Sequence, residues 1–569
     1  MGPGPDPNAR GPRPHNATSG GVGGEIHPQD RSATARAQPD ETPRAGAHAA
    51  ERLYFAQKQG TECLTLIRVH QSVGLLIDTD CTMIPPRFAP ILAEMEPLAT
   101  RFREAGHRLF LVGGTVRDLL MATGDGPIDP AAMDFDATTT ARPEEIKRIV
   151  SDIADALWTQ GERFGTIGLK IGERVYEITT HRAEAYSPDS RKPDVQFSDT
   201  IETDLSRRDF TINAMALELT SDTPTLVDPF GGAADLMTRT LRTPLSAEES
   251  FSDDPLRMLR AARFISQLEV TPDPSITAAV TAMADRISIV SAERIRVEFD
   301  KLMVTTRPTF GLWFLIDTGL VDHFLPELRL MRLEQDPIHR HKDVLTHTLA
   351  VVENVQQDAR PNFDFRITRL AALYHDIGKP RTRGFKEGKG VTFHHHEAVG
   401  ARMTRERMKA MKYPSADIAA VSELVAISGR FHTYQMGWTD SAVRRYVRDA
   451  GDYLNELNVL VRCDCTTRNE KKAKILARRM DEMEERIAEV SAREELASLR
   501  PELDGQRVME LLNLPAGPAV GAAMEFLMDI RLEEGLIGEE AIVARLREWW
   551  AVNAESASQL KRSRRLTQH

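Results

Sequence analysis

Two carboxylates stand two positions apart in the segment MDFDATT, as Asp134 and Asp136. In an extended strand, residues i and i+2 point to the same face, so this spacing places the two side chains next to each other. Neighbouring carboxylates repel each other unless a divalent cation joins them, and two Mg²⁺ ions held in this way can activate a hydroxyl nucleophile and stabilise a leaving pyrophosphate. The pair therefore predicts a magnesium centre. Glu177, in a later strand, is either a third carboxylate of that centre or a plain exposed strand residue.

Two further segments have the composition of a phosphate-binding site. In LVGGTVRDLL, Gly113 and Gly114 let backbone N–H groups approach a triphosphate closely, and Arg117 follows at helical distance. In DLSRRDFTINAMAL, Arg207 and Arg208 precede an amphipathic segment, and guanidinium groups pair with phosphate in a fork geometry. The alternative interpretation of the arginine pair is a cluster of surface ion pairs.

The segment DDPLRMLRAARF begins an amphipathic helix, which we predict from Asp254 to Leu268. Asp254 and Arg257 are expected on one face of this helix, and Arg260 and Arg263 continue the face at three-residue steps. A carboxylate accepts a hydrogen bond from an exocyclic amino group, and a guanidinium donates one to a ring nitrogen. Cytosine and adenine fit that pattern, whereas uracil and guanine reverse it. The pair can therefore select C and A without a template; the alternative is ordinary amphipathicity.

Histidine and aspartate residues in the C-terminal half indicate a second metal site. The adjacent pair His375 and Asp376 follows an apolar helical stretch and precedes the letters IGKP. An imidazole and a carboxylate, joined by a distant His and Asp, form a mixed nitrogen and oxygen ligand set that suits a transition metal or Mg²⁺.

These segments divide between a mixed α and β head and a helical body. Strands are predicted at RLFLVGG and MDFDATT, a hairpin at TIGLKIG and RVYEITT, and an interleaved helix from Pro143 to Leu157. After Gly232 the strand signals fade, and amphipathic helices such as 292–303 and 344–355 dominate. The N-terminal residues are rich in Gly, Pro and Arg without periodicity, so we predict that they are disordered.

The composition is that of an ordinary globular protein of 569 residues, with a net charge of −11. The sequence contains no apolar run long enough for a membrane helix and no signal peptide, and its four cysteines fit neither a disulfide framework nor a zinc knuckle. We therefore expect a cytoplasmic protein without a membrane partner. The net acidity does not exclude a nucleic-acid partner, because phosphate binding needs only a local basic surface.

The ordered motifs GGTVRD, DFD, RRDFTINAMA, DPFGG, DDPLRMLRAARF and AERIRVEF resemble those of the bacterial class II tRNA nucleotidyltransferases, or CCA-adding enzymes, a family that includes bacterial poly(A) polymerases. The resemblance implies a polymerase-beta-like fold, Mg²⁺ at Asp134 and Asp136, and tRNA, CTP and ATP as partners. The family motif usually has Glu at the position of Asp253. The nucleotide-binding residues implied by the resemblance are Gly113, Gly114, Arg117, Asp118, Arg207, Arg208, Asp209, Asn213, Asp254, Arg257, Arg260 and Arg263.

The order His, His-Asp, Asp in the helical body resembles the HD superfamily of metal-dependent phosphohydrolases. This resemblance implies a divalent metal of undefined identity. The implied ligands are His347, His375, Asp376 and Asp464, and the candidates for a second metal are His396 and His432.

The sequence thus predicts an α+β protein with a polymerase-beta-like head and an all-helical body that contains an HD domain. The predicted divisions are a disordered extension (1–82), the head (83–232), a helical neck with the base-reading helix and an RNA-binding surface (233–335), the HD domain (336–480) and a helical C-terminal region with a basic tail (481–569).

The expected function is addition of C, C and A to the 3′ end of tRNA by a two-metal-ion mechanism, with phosphohydrolase activity in the HD domain. A poly(A) polymerase and an A-adding or CC-adding specialist are the alternatives on this scaffold. An HD phosphohydrolase with a non-catalytic RNA-binding head is the alternative of another class. No oligomeric state is predicted.

Overall fold

The computed structural model describes residues 88–122, 129–130, 133, 135–185, 194–333, 343–387, 390–433, 437–467, 469–494 and 499–559. The predicted N-terminal extension lies outside this range. Within it, a mixed sheet with helices forms the head and helices form most of the remaining chain, which confirms the predicted α+β class. No helix among the described residues is long and apolar enough to cross a membrane.

The head is built on one twisted sheet. Its strands are Leu109–Val112 (β1), Phe135–Thr139 (β2), Ala156–Trp158 (β3), Thr166–Ile171 (β4), Arg174–Thr180 (β5), Arg182–Ala185 (β6), Asp194–Phe197 (β7), Ala216–Glu218 (β8) and Thr225–Val227 (β9). Seven of these form the sheet, in the order β3-β4-β5-β2-β1-β8-β9. The β2 and β5 strands pair in parallel, and the other pairs of this sheet are antiparallel. The β6 and β7 strands form a separate antiparallel pair.

The alternation of side chains along β1 gives the sheet two different faces. Leu109 and Leu111 pack into one apolar core with three helices of the head. Phe110 and Val112 point the other way and pack against a fourth helix. The helices of the head are Ala89–Glu104 (α1), Gly114–Met121 (α2), Pro143–Val150 (α3), Ile201–Ser206 (α4) and Gly232–Thr238 (α5).

The predicted hairpin at TIGLKIG and RVYEITT is confirmed as β4 and β5. The prediction of one helix from Pro143 to Leu157 was wrong, because α3 ends at Val150 and β3 follows it. The physical reason is the close packing of Trp158 on Gly168 of β4, where a Cβ atom would come within 1.9 Å of the indole nitrogen. The absence of a side chain at Gly168 makes room for the aromatic ring of an edge strand.

The helical body begins with short parallel strands at Thr240–Leu241 (β10) and Thr271–Pro272 (β11). Its first helices are Ala247–Asp253 (α6), Leu256–Gln267 (α7), Pro274–Met283 (α8), Ala292–Met303 (α9), Pro308–Asp317 (α10) and Glu327–Leu330 (α11). The next helices are Val344–Asn354 (α12), Phe365–Tyr374 (α13) and Lys379–Thr382 (α14), followed by an antiparallel hairpin of Arg383–Lys386 (β12) and Gly390–Phe393 (β13). The remaining helices are His396–Ala410 (α15), Ser415–Ile427 (α16), Arg430–Thr433 (α17), Asp440–Ala450 (α18), Leu454–Asp464 (α19), Glu470–Arg493 (α20), Gly505–Leu512 (α21), Pro518–Glu534 (α22) and Glu539–Gln559 (α23).

One continuous apolar core extends from Phe210 to Met483 through the helical body. Arg369, on α13, is wholly buried within it and donates hydrogen bonds to backbone carbonyl oxygens of Val355 (3.0 Å), Met303 (2.7 Å) and Thr305. Burial lowers the pKa of this guanidinium to about 10. The carbonyl groups at the ends of α9 and α12 are thereby joined to α13 by a single side chain.

The crossing of α10 over α7 yields a stability prediction. A Cβ atom at Gly311 would lie 2.2 Å from the carbonyl oxygen of Ala262 and 2.6 Å from Leu302 Cδ1. Gly311→Ala should therefore lower the free energy of unfolding by about 1–3 kcal/mol, as overpacked cores usually do. Urea unfolding measures this change. Gly521→Ala is the matched control, because that helical glycine has open space around it, so we expect a gain of roughly 0.5–1 kcal/mol there. Equal effects at both positions would contradict the close crossing.

Candidate active site and metal centre

Two carboxylates face a cavity on the side of the sheet away from the three helices. The parallel register pairs Asp136 of β2 directly with Glu177 of β5, and both side chains are exposed. The cavity has a volume of about 420 Å³. Asp134 lies outside the described residues. The residues that line the cavity are Val112, Asp136, Ala137, Thr166, Glu177, Thr179, Arg182, Arg207, Arg208, Asp209, Asp254, Leu256, Arg257, Arg260 and Arg294.

This wall of the cavity has the chemistry that a divalent cation requires. Asp136 and Glu177 supply oxygen ligands of like charge on neighbouring strands, and six arginine side chains also line the cavity. Oxygen ligands of this kind suit Mg²⁺, which commonly binds through one or two carboxylates together with substrate phosphates. The described residues therefore fit the magnesium ion that the sequence predicted.

Arg207 and Arg208 are held by a carboxylate that the sequence analysis did not assign. Asp204, on α4, is wholly buried, and its oxygens lie 3.3 Å from Arg207 Nη2 and 3.1 Å from Arg208 Nη2. Burial acts to raise the pKa of Asp204, but the two arginine charges outweigh it and lower the pKa to about 2. The spacing of three and four residues in DLSRR was the available signal, because it places Asp204 beside both arginines on a helical turn.

A second buried carboxylate connects the head to α7. Asp209 Oδ2 accepts a hydrogen bond from Arg260 Nε (2.8 Å), and Oδ1 accepts one from Asn213 Nδ2 (2.9 Å). Asn213 Oδ1 in turn accepts a hydrogen bond from Arg117 Nη1 (2.7 Å). Burial acts to raise the pKa of Asp209, but Arg260 and its hydrogen bonds lower it to about 2. Arg117 and Asn213 are buried and support this network, whereas Asp209 and Arg260 also line the cavity.

The glycine pair permits a close approach of Arg208 to the backbone. Gly113 has a φ of 73°, a conformation that glycine adopts without strain, and it precedes the first residue of α2, Gly114. A Cβ atom at Gly113 would lie 3.0 Å from Arg208 Nη1. Asp118, on the exposed side of α2, forms an ion pair with Arg117 at 2.8 Å.

Asp254 and Arg257 both line the cavity, but they do not lie together on one face of a helix. The expectation that Asp254 lies on the helix was wrong: α7 begins at Leu256, and Asp254 has an extended backbone (φ −138°, ψ 100°). Pro255 accounts for this start, because the residue before a proline avoids the helical region. Arg257 is buried; its Nη1 donates to Ser250 Oγ at 2.9 Å and its Nη2 to the carbonyl oxygen of Arg207.

Two arginines near this pair differ from the sequence expectation. Arg263 forms an ion pair with Glu298 of α9 and does not line the cavity. Arg294, on α9, does line it, and its Nη2 lies 2.8 Å from Asp254 Oδ2. The sequence analysis noted the motif AERIRVEF but assigned no role to Arg294. Its contact with Asp254 joins residues 40 positions apart, and no local pattern reveals such a contact.

The second centre gathers imidazole and carboxylate groups at three helix ends. His347 of α12 places Nε2 2.8 Å from Asp464 Oδ1, at the end of α19. His375 Nε2, just after α13, lies 3.6 Å from the same oxygen and 3.4 Å from Asp376 Oδ2. One donor atom from each of His347, His375 and Asp464 lies within 4.8 Å of the others. The structure thus brings together all four ligands that the resemblance implied.

These groups fit a divalent cation. His375 Nδ1 lies 2.8 Å from the carbonyl oxygen of Ala372, which can only accept, so Nδ1 carries the proton. His375 Nε2 is buried and has no hydrogen-bond partner, although it faces two carboxylates. Burial acts to lower the pKa of His375, but Asp376 and Asp464 raise it to about 10. The two carboxylates that favour a second proton, on Nε2, also attract a metal ion. A metal ion bound to Nε2 would take the place of that proton.

The candidates for a second metal differ in their position. His396 Nε2 lies 3.6 Å from Asp376 Oδ1, so it borders the centre. His432 is exposed and packs edge-on against Phe431. Lys379 Nζ lies 2.6 Å from Asp376 Oδ2 and adds a positive charge to the same carboxylate.

The depressed pKa of Asp209 predicts a specific sensitivity to acid. Its folded value of about 2 lies below the ordinary value of 3.8, so its contribution to stability is present above that ordinary value and is lost as the pH falls towards 2. A shift of this size is worth roughly 2 kcal/mol. Asp209→Asn should destabilise the protein at neutral pH and flatten the fall in unfolding free energy between about pH 4 and 2. Urea unfolding across this pH range tests it, with the fully exposed Glu173→Gln as control. An unchanged slope in Asp209→Asn would contradict the assignment.

Three known protein families match consecutive parts of the chain. Residues 109–242 match the poly A polymerase head domain. Residues 269–331 match the probable RNA and SrmB-binding site of polymerase A. Residues 344–469 match the HD domain. The first match contains the carboxylate pair and Arg207 to Asp209, and the last contains the four ligands of the second centre.

Individual relatives agree with these matches. The chain is 33% identical over 430 residues to the A-adding tRNA nucleotidyltransferase of Deinococcus radiodurans, covering 74% of this chain and 91% of the relative. It is 39% identical over 251 residues to the CCA-adding enzyme of Latilactobacillus sakei, covering 44% of this chain and 59% of the relative. Its fold is similar to that of the Bacillus stearothermophilus CCA-adding enzyme in complex with CTP, with a TM-score of 0.59, 23% identity and coverage of 83% of this chain and 100% of that one. The chain therefore belongs to the class II tRNA nucleotidyltransferase and poly(A) polymerase family, and it carries an HD domain behind the polymerase head.

Proposed function

We propose that this protein adds C, C and A to the 3′ end of tRNA, using CTP and ATP and releasing pyrophosphate. The observation that carries the proposal is the shared cavity: Asp254 and Arg257 line the same cavity as Asp136 and Glu177. A base held by the first pair can present its triphosphate to the second without a nucleic-acid template. The name of the relative in Deinococcus radiodurans supports tRNA as the substrate, and the name of the relative in Latilactobacillus sakei supports CCA as the added sequence.

The cavity divides the nucleotide between two sets of side chains. Arg207, Arg208 and Arg260 can pair with the triphosphate, because their guanidinium groups are already fixed by buried carboxylates. Asp136 and Glu177, with Asp134, would hold Mg²⁺, which supplies neutralisation of the charge that develops on the reacting phosphate and on the leaving pyrophosphate.

Base selection falls to Asp254 and Arg257. Asp254 accepts a hydrogen bond from the exocyclic amino group of C or A. The hydrogen bonds of Arg257 to Ser250 and to the carbonyl of Arg207 number three at most, and a guanidinium has five N–H groups. The remaining two can donate to the ring nitrogen of either base. Uracil and guanine present an acceptor to Asp254 and a donor to Arg257, which leaves these groups unpaired.

A specialised A-adding enzyme is the second candidate, and one observation favours it. The A-adding relative aligns over 430 residues, or 74% of the chain, and this length takes the alignment into the HD domain, whereas the alignment with the CCA-adding enzyme of Latilactobacillus sakei covers 44% of the chain. The base-reading pair accepts both C and A, so it supports either activity. A CC-adding specialist and a poly(A) polymerase would use the same site geometry. Only the reaction products distinguish these activities from CCA addition.

We also propose that the HD centre hydrolyses phosphoester bonds and that its metal is a divalent ion. Two imidazoles and two carboxylates form a ligand set that such an ion prefers. The bound ion would stabilise negative charge on the phosphoester and activate a water molecule. Asp376 and Asp464 can accept hydrogen bonds from an incoming water. A phosphohydrolase with a non-catalytic head is the alternative of another class, but the carboxylates Asp136 and Glu177 in an arginine-lined cavity argue against an inert head. Action in the cytoplasm stays a prediction.

A primer-extension assay tests the head. Protein and Mg²⁺ are mixed with a tRNA transcript that lacks CCA, and with CTP, ATP, both, UTP or GTP. We expect extension by two nucleotides with CTP and by three with both, followed by a stop. Extension only of tRNA that already ends in CC would instead establish A addition. A long adenosine tail would establish a poly(A) polymerase, and no extension of any RNA would contradict the proposal.

Substitution of one head carboxylate separates the two classes of function. Asp136→Asn should lower the extension rate by at least about 100-fold, because it removes one charge from the predicted magnesium site. Glu173→Gln, at the fully exposed turn of the same β4–β5 hairpin, is the matched control and should extend normally. The hydrolysis of bis(p-nitrophenyl) phosphate reports the HD centre and should persist in Asp136→Asn. Extension that survives Asp136→Asn would contradict the site.

Metal removal tests the HD centre. Protein stripped with EDTA should bind Mn²⁺ with a stoichiometry that His375→Ala lowers by one, because this imidazole supplies a buried ligand. Isothermal titration calorimetry in the absence of nucleotide measures the change. His323→Ala alters an exposed histidine outside the cluster and serves as the control. Identical stoichiometry in His375→Ala and the native protein would disprove a metal at this centre.

A further inference from the structure

We infer that Arg294 is a further specificity-determining residue of the cavity: it fixes the carboxylate of Asp254 so that a wrong base cannot push it aside. The inference rests on the proposed function, since it concerns how the cavity chooses among nucleotides. Arg294 is a positioning residue, because the group it contacts is Asp254 and not the reacting phosphate.

Asp254 needs such support because its own backbone does not belong to a helix. It stands between the end of α6 and the start of α7, with an extended conformation. One carboxylate oxygen, Oδ1, accepts a hydrogen bond from the N–H of Leu256 at 3.1 Å. The other oxygen, Oδ2, accepts a hydrogen bond from Arg294 Nη2 at 2.8 Å. Each oxygen of the carboxylate thus has a donor from a different element.

Arg294 is well placed to act as a fixed donor. It lies in the first turn of α9, where its backbone N–H is capped by Ser291 Oγ. The same helix carries Glu298, which binds Arg263 of α7. The α9 helix therefore contacts both sides of the base-reading segment: Glu298 holds α7 itself, and Arg294 holds the residue just before it. Arg294 lines the cavity together with Asp254, and about half of its side chain, 54%, is exposed.

The two contacts leave the carboxylate able to read a base. A carboxylate has about four lone-pair positions, and the donors Leu256 and Arg294 use two of them. The remaining positions can accept the amino group of cytosine or adenine. Uracil and guanine place a carbonyl oxygen there instead, and two acceptors facing each other have no shared proton.

Rigidity decides how much that mismatch costs. If the carboxylate were free to rotate, it could turn away from the carbonyl of uracil, and water could then satisfy both groups. If it is fixed on both oxygens, the unpaired acceptors stay in contact and the energetic penalty of the mismatch is retained. Arg294 therefore increases rejection of the wrong base more than it increases binding of the correct one.

The test compares nucleotide selectivity in native protein and variants. Arg294→Ala should lower the ratio of kcat/KM for CTP to kcat/KM for UTP by about 10-fold. This is the change expected when the penalty for one mismatch is lost. Most of the change should come from faster UTP incorporation. Arg294→Lys should restore part of the selectivity, because an ammonium can donate to the same oxygen. A uniform loss of activity with all nucleotides would instead indicate a merely structural role and would overturn the inference.

The same helix offers a matched control. Arg296 is two residues further along α9, and its guanidinium donates to the backbone carbonyl of Lys412, away from the cavity. Arg296→Ala should keep the native selectivity. Thermal unfolding of all variants shows whether Arg294→Ala is folded, and an exposed side chain leads us to expect a change of only a few degrees.

Equilibrium binding separates failure of this inference from failure of the proposed function. Isothermal titration with CTP and UTP measures selectivity without any RNA extension. A ratio of the two affinities that is narrower in Arg294→Ala supports the role of Arg294, even if the native protein extends no tRNA and the proposed function fails. An unchanged ratio in both assays overturns the role of Arg294, even if the native protein adds CCA.

Discussion

Charge compensation by buried aspartates is the constraint on which the nucleotide-binding cavity depends. Asp204 and Asp209 are nearly or wholly inaccessible to water, and each holds arginines that line the cavity. A buried carboxylate without a partner is costly, so the protein must bring a cation to each one. For Asp209 that cation is Arg260, which comes from α7 in the body. The ion pair between Asp209 and Arg260 therefore joins the head to the body. Asn213 extends this network to Arg117.

This arrangement also determines how the cavity can stabilise charge. The arginines are oriented by their aspartates before any nucleotide enters, so little reorganisation is needed when negative charge arrives. Across the cavity, Asp136 and Glu177 depend on a different device, the parallel register of β2 and β5. Backbone hydrogen bonds fix the negative wall, and side-chain ion pairs fix the positive one. The proposed nucleotide site thus combines carboxylates fixed by sheet geometry with arginines fixed by salt bridges.

The sequence predicted the elements with strong periodicity, and it missed contacts between distant positions. The β4–β5 hairpin was recognisable because apolar residues alternate on both sides of a glycine turn, and the HD ligands were recognisable through their order along the chain. Asp204 could have been found from its spacing to Arg207. Arg294 could not, because its partner is brought close only when α9 packs beside α7. The helix predicted at Asp254 started too early because Pro255 was not treated as a boundary, and the strand at Trp158 depended on space left by Gly168.

The shared core of the helical body has a consequence for how such proteins evolve. The neck that carries the base-reading helix and the segment that carries the metal centre bury their apolar side chains together, and Arg369 binds carbonyl groups on both. A recombination event that exchanged the neck alone would disrupt the shared core and could remove the acceptors at Met303 and Thr305 from the buried guanidinium of Arg369. We therefore expect the cavity and the HD ligand cluster to be inherited together, and any loss of the ligand cluster to proceed by substitution of its side chains and not by deletion of the surrounding helices.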